Sequence, residues 1–290
     1  MRNFMLVSTF MALGISTYFP PWIENTLALI FILTIGVVHG ANDLNLIKKS
    51  KAFKTANSLK NLSYYIGVIL VIIVLFFIIP QIALPVFVLF SAYHFGEQHW
   101  KTNLDGHWFL NRFFYTIYGL FIFSLLFAAH TVDVQQIIYQ MSDILLPTSF
   151  FDNALLILLI SVLIFLGVYI FERKLKTFWL EELFFIVVFF VIFNTATLLW
   201  AFAVYFVLWH SIPSIKEQVE FLYGTCNKTT VMNYLKLAWI YWLVALVGFG
   251  VVVYFFREDQ SLLLAIFFSF LAAITFPHVL IISKMHGKTH

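Results

Sequence analysis

Three histidines in this sequence each close an apolar run, His39 after IFILTIGVV, His94 after VFVLFSAY and His210 in YFVLWHS, and His278 in TFPHVLI lies near the end of another. Ionisable groups within apolar membrane segments are costly to bury and mark functional sites. Neutral imidazole is the commonest metal ligand and suits zinc, copper, iron and nickel. Four imidazoles on four separate segments can converge on one ion. A plainer reading stands beside this one, because a lone histidine near a helix end is ordinarily a hydrogen-bonded interfacial residue. The single cysteine, Cys226, supplies no thiolate cluster, so sulfur-rich metal sites are excluded. Two haems held by histidine pairs would require the pairs to lie at two depths.

Carboxylates follow two of these histidines. In HGANDL, Asp43 comes four residues after His39; in HFGEQHW, Glu97 comes three after His94. If the helices continue, these spacings put each acid on its histidine's face. A carboxylate that accepts the imidazole's second N–H fixes the tautomer and makes the other nitrogen a better ligand. Asp43 and Glu97 are therefore expected to orient His39 and His94. Pro277 directly precedes His278 and is expected to kink its helix, freeing a carbonyl one turn earlier. The other histidines invite blander readings: His286 and His290 as solvated tail residues, His130 as interfacial, His99 and His107 as part of the loop EQHWKTNLDGHW.

What positions these residues follows from composition. The chain of 290 residues is 62% hydrophobic, 20% aromatic and only 11% charged. Soluble domains are about 45–50% apolar and about 25% charged. The fold class expected is all-α: a polytopic integral membrane helical bundle forming one domain over 1–290. Helix-length apolar runs fall at about 3–20, 22–40, 62–80, 81–95, 108–129, 154–171, 178–194, 196–211, 231–256 and 261–283, which predicts about ten transmembrane helices, given that about 17–25 residues span a bilayer. Two runs, 81–95 and 196–211, are short, and both end at a histidine. The first run reads as a retained helix, not a cleaved signal, because no clear small-residue cleavage site follows it.

With the N-terminus inside, every Lys and Arg except Arg257 falls on the cytoplasmic side. Cytoplasmic loops carry the Lys/Arg excess, so both termini are placed in the cytoplasm and the chain in the inner (plasma) membrane as a multi-pass protein. The outer segment 130–153 has Asp133, Asp143 and Asp152 but no Lys or Arg. In this arrangement all four histidines lie toward one leaflet. Lys48, Lys101, Lys216 and Lys284 follow them six to nine residues on, so their depths agree. One common depth favours a single ion. No dinucleotide, P-loop, CxxC or GxSxG motif is present, and no nucleic-acid partner is expected.

GVVHGANDL, SAYHFGEQHW, YFVLWHSIPS and TFPHVLI together resemble the histidine motifs of the bacteriorhodopsin-related (Brp/Blh) family of membrane β-carotene 15,15′-dioxygenases. The matching segments run from residue 36 to residue 281. The resemblance implies a helical, non-haem Fe(2+) enzyme that splits the central double bond of β-carotene with O2 to give two retinals. Carried over by motif, the ligands are His39, His94 and His210. Some family members have a further histidine one turn after the WHS histidine; here that place is Ser214, which is assigned a supporting position, and His278 is expected to be the fourth ligand. A carotenoid dissolved in the lipid bilayer can enter such an enzyme sideways. Tyr93, Trp100 and Trp209 flank the expected ligands and are candidates for tunnel walls, since flat aromatic faces pack well on a polyene. A retinal-binding opsin is a candidate recipient of the product.

Two other classes compete. Membrane di-iron desaturases and hydroxylases use HxxxH and HxxHH boxes, whereas His94 and His99 have the spacing HxxxxH and no double-His box exists. A transporter or proton pathway predicts polar groups through the full membrane depth, yet LALIFIL and VVVYFF are nearly unbroken hydrocarbon.

Overall fold

The structure, a computed structural model, describes residues 1–50, 58–258 and 262–286. Lys51, Lys54, Lys288 and His290 lie outside the described residues, and of Lys284 and His286 only the backbone is described. Among the described residues every regular element is a helix. An apolar chain in hydrocarbon must satisfy its own backbone donors and acceptors, and a helix does so within one segment.

Within the described residues, each apolar run of the sequence overlaps helix. The elements are α1 (Arg2–Tyr18), α2 (Pro21–Phe31), α3 (Asp43–Lys49), α4 (Ser58–Ile78), α5 (Pro80–Trp100), α6 (Trp108–Ala129), α7 (Thr131–Ser142), α8 (Thr148–Phe171), α9 (Trp179–Thr195), α10 (Leu198–Ala203), α11 (Ile212–Tyr223), α12 (Lys228–Phe256) and α13 (Leu263–His286). Among the described residues, six helical stretches are long and apolar enough to cross a membrane: Lys60–Ile78, Trp108–Ala129, Thr148–Phe171, Leu198–Tyr223, Lys228–Phe256 and Ala265–Ser283. The chain is thus a helical membrane protein. The segment 130–153 is not a plain loop, since α7 occupies its first half. His99 also differs from its loop assignment and sits in the last turn of α5.

Two stretches are wound more widely than an α-helix. α2 continues as a π-helix over Ile32–Gly36, and α10 continues as one over Val204–Ser211 before α11 begins. π segments are rare and concentrate at functional sites. The first ends three residues before His39; the second contains His210. Side chains serve their displaced carbonyls: the Trp242 indole N–H donates to Leu33 O at 2.7 Å, and the Ser211 hydroxyl donates to Phe206 O at 2.8 Å.

The described residues form two compact units. The first comprises Met1–Ile32, Val88–Gln136 and Leu145–Pro213; the second comprises Leu33–Phe87, Ile137–Ile144 and Ser214–His290. In the first, α6 packs on α8 and α9, α10 on α2 and α9, and α1 on α9 and the second π segment. Its buried interior is aromatic, with Phe114, Tyr118, Tyr169, Phe185, Phe189, Phe193 and Trp200 fully enclosed or nearly so. In the second, α13 packs on α4, α3 and α12.

The helix that carries His94 meets α6 backbone to backbone. A Cβ at Gly96 would lie 1.9 Å from Tyr115 O, and one at Gly119 would lie 1.8 Å from Ala92 O. The two glycines thus permit an approach that small residues characteristically allow between membrane helices. Gly119→Ala is expected to force α5 and α6 apart at a cost on the order of 1–3 kcal/mol, the usual scale of overpacking. A thermal-unfolding scan in detergent should show a lower midpoint; an unshifted midpoint would mean that the crossing is looser than described.

Candidate metal centre

His39 and His278 form one pair, both in the second unit. Helix geometry ends at Val38, and the chain turns through residues 39–42 before α3 starts at Asp43. Tight backbone bonds hold this turn: Gly40 N–H to Val37 O, Ala41 N–H to Val38 O and Asp43 N–H to Gly40 O. The His39 ring is buried, and its Nδ1–H donates to Gly36 O, a carbonyl of the first π segment. His278 comes from α13, which continues through Pro277. Its Nδ1–H donates to Asp43 Oδ1 at 2.7 Å, with both side chains buried. The two rings stand edge-on, their centres 4.7 Å apart. Since a carbonyl and a carboxylate only accept, both imidazoles donate from Nδ1, and in the neutral ring Nε2 then carries the lone pair.

Asp43 therefore serves His278, not His39 as the i+4 spacing suggested. The turn at 39–42 breaks the common helix face that the expectation required. Asp43 also accepts from the Tyr65 hydroxyl at 3.2 Å. Behind His39 lies a polar lattice that apolar periodicity gave no reason to expect. Gln218 on α11 is fully buried and donates from its amide to His39 O at 2.8 Å and to Ser214 Oγ at 3.0 Å. The Tyr234 hydroxyl lies 2.8 Å from Gln218 Oε1 and 3.3 Å from His39 O. The Asn42 amide donates to Tyr234 O at 3.0 Å. Ser214 is thus linked to the backbone of His39 through one side chain. The turn's position is set by donors from α11 and α12, and buried donors of this kind are costly to leave unmade.

His94 and His210 form the second pair, both in the first unit. His94 lies on α5 and His210 in the second π segment; the two side chains are 1% and 2% exposed. Their ring centres are again 4.7 Å apart, at 75°. Phe95 lies 4.3 Å from His210, and Phe206 is stacked on it at 5.8 Å and 19°. Phe202 stacks in turn on Phe206 at 5.3 Å and 8°. The three parallel rings, four residues apart, are a ladder that the sequence contained but whose role depends on winding.

The remaining expected residues are placed as follows. Glu97 accepts from the Tyr93 hydroxyl at 2.7 Å, one turn back on the same helix. Trp100 is fully buried and packs edge-on against Phe114 and Tyr118. Trp209 is buried between Phe185 and Phe189, and its indole N–H donates to Thr9 Oγ1 at 3.0 Å. Of the other histidines, His107 caps the start of α6. His99 joins a polar chain around the buried Glu182, with its Nε2 2.7 Å from Glu182 and Glu182 paired to Arg2 at 3.0 Å. His130, at the end of α6, is held below the ordinary histidine range by burial, against the opposing pull of Asp133.

A model of the beta-carotene 15,15′-dioxygenase family matches residues 30–286. The chain belongs to that family. The match covers both histidine pairs and every motif of the Brp/Blh resemblance. It brings with it dioxygenase activity and a carotenoid substrate class. No curated protein and no solved structure matches the chain.

Among the described residues of this dioxygenase-family chain, no group of three or more His, Cys, Asp and Glu is gathered for a metal ion. The imidazoles stand as two pairs, each described within its own unit. The donor chemistry of each pair nevertheless fits a first-row divalent metal. In His39 and His278, the Nδ1 proton is committed to oxygen and Nε2 carries the lone pair, the tautomer that metal-bound histidines adopt. With ring centres 4.7 Å apart, the two imidazoles of each pair are close enough to hold one ion together.

Proposed function

We propose that the chain cleaves the central double bond of β-carotene, or of a closely related carotenoid, with O2 to give two retinals. The reaction is assigned to a non-haem Fe(2+) held by His39, His94, His210 and His278. The observation that carries the reading is the coincidence of the family match with two buried, edge-on imidazole pairs on the motifs that define it. We further propose about ten spans with both termini cytoplasmic, in the inner (plasma) membrane, from the one-sided distribution of Lys and Arg.

Bound ferrous iron would supply the unpaired electrons through which triplet O2 reacts with a closed-shell polyene. The chain's contribution is to position and to exclude. Gly36 O and Asp43 accept from Nδ1 of His39 and His278, so Nε2 is the nitrogen that each ring would offer to iron. Gln218 and Tyr234 fix the backbone of His39 from behind. Phe95 and Phe206 surround His210 with aromatic carbon, a surface that packs on a flat polyene and keeps water away. In the cleavage, the C15=C15′ double bond breaks and each carbon takes one oxygen atom. No proton enters or leaves, so no general acid or base is required. Buried imidazoles with locked protons suit such a reaction. A retinal-binding opsin is the proposed recipient of the product.

Expression of the chain in a β-carotene-making host tests the reading. The expected result is loss of carotenoid colour with accumulation of retinal. Retained colour with no retinal, at normal expression, would refute it.

A further inference from the structure

The family match begins at residue 30, so α1 lies outside it. α1 nevertheless makes specific contacts with the segment that carries His210. Its buried residues are Met5, Thr9 and Ala12, which at i, i+4 and i+7 form one stripe along the helix. Along that stripe, the Trp209 indole N–H donates to Thr9 Oγ1 at 3.0 Å, and the Trp200 indole N–H donates to Ala12 O at 3.2 Å. Thr9 donates onward to Met5 O at 2.8 Å, so its hydroxyl is fixed in the orientation that accepts from Trp209. Arg2 closes the same helix onto α9 through Glu181 and Glu182, at 2.9 and 3.0 Å.

Trp209 directly precedes His210, and both belong to the π segment Val204–Ser211. The i→i−5 winding is visible in the Ile212 N–H bond to Val207 O. Such winding is less favourable than α-helix and persists where its surroundings hold it. Relaxation to α would turn each successive side chain about the helix axis, and His210 would turn with Trp209. The Trp209 ring is fixed by Phe185 at 5.0 Å and Phe189 at 4.8 Å, while its one polar atom is fixed by Thr9. Losing the Thr9 acceptor would leave a buried indole N–H unmade, and that cost falls on the π register.

We propose that Thr9 is a positioning residue for His210: by accepting from Trp209, α1 sets the rotational register of the π segment and so the aim of the His210 imidazole. The inference rests on the proposed role of His210 as an iron ligand.

The test compares wild type, Thr9→Val and Thr9→Ser in detergent-purified full-length protein. Thr9→Val keeps the shape and removes the hydroxyl; Thr9→Ser restores it. Three readouts are taken: amide hydrogen exchange over residues 204–211 in the metal-free protein, iron affinity by titration, and retinal formation. Thr9→Val should raise exchange in that segment and lower iron affinity about 10–100-fold, the range for losing a partner that orients a ligand. Its kcat at saturating iron should fall more than KM rises, and Thr9→Ser should recover all three. Unchanged exchange and unchanged iron affinity in Thr9→Val would overturn the proposal. So would a global loss of protection in Thr9→Val that Thr9→Ser shares, since the residue would then be merely structural. If wild type neither binds iron nor forms retinal, the functional reading fails by itself, and the exchange data alone decide whether Thr9 holds the π segment.

Discussion

Replacing His210 by alanine is expected to reduce retinal formation to the background of cells lacking the chain. The same result is expected for His39→Ala, His94→Ala and His278→Ala. Each substitution removes one lone pair from the proposed iron site and opens a space among buried rings. The effect should appear in iron content as well as in turnover. His107→Ala is the contrasting variant, because His107 only caps the start of α6 from an exposed position. It should retain retinal yield and iron. Retinal yield in a β-carotene-making host, paired with iron per chain in the purified protein, measures both. Undiminished retinal from any of the four alanine variants would remove that residue from the site.

Asp43→Ala is expected to have the next largest effect, although Asp43 is not proposed to touch iron. Its carboxylate accepts from His278 Nδ1 at 2.7 Å and from the Tyr65 hydroxyl at 3.2 Å. Truncation takes this acceptor from the buried His278 N–H and the half-buried Tyr65 hydroxyl, at a cost on the order of 1–3 kcal/mol for the buried donor before any relaxation. It also removes the carboxylate that accepts the His278 Nδ1 proton. Iron affinity should fall about 10–100-fold, as it does when the orienting partner of a metal-bound histidine is lost. Added ferrous iron should restore part of the turnover, which separates this variant from His278→Ala. An iron titration that superimposes on wild type would show that Asp43 stabilises only the fold.

Much of this was legible in the residues. The apolar runs marked most of the helices because hydrocarbon admits few other backbone arrangements, but α3, α7 and α11 lie outside them. The four motif histidines were marked by their position at the ends of those runs. The partner of Asp43 was not legible: the i+4 rule assumes a continuous helix, whereas the chain turns through residues 39–42. The distribution of the histidines into His39 with His278 and His94 with His210 depends on long-range packing, which no local pattern encodes. The π segments escaped for a different reason. Ile32–Gly36 and Val204–Ser211 lie in sequence that is apolar on nearly every side, so no polar stripe exists whose drift would reveal wider winding. Nothing in the sequence sets Gln218 and Tyr234 apart. Only their convergence on the carbonyl of His39 shows what they hold. The segment 130–153 was read from its charge alone, although TVDVQQIIYQMS forms a helix of its own.

The central claim is that imidazoles from four separate segments bind one iron. The most direct test is metal analysis of the purified chain combined with iron K-edge X-ray absorption. The account predicts one iron per chain, with scattering from four imidazole rings and none from sulfur. Two irons per chain, or no iron in protein that still forms retinal, would contradict it.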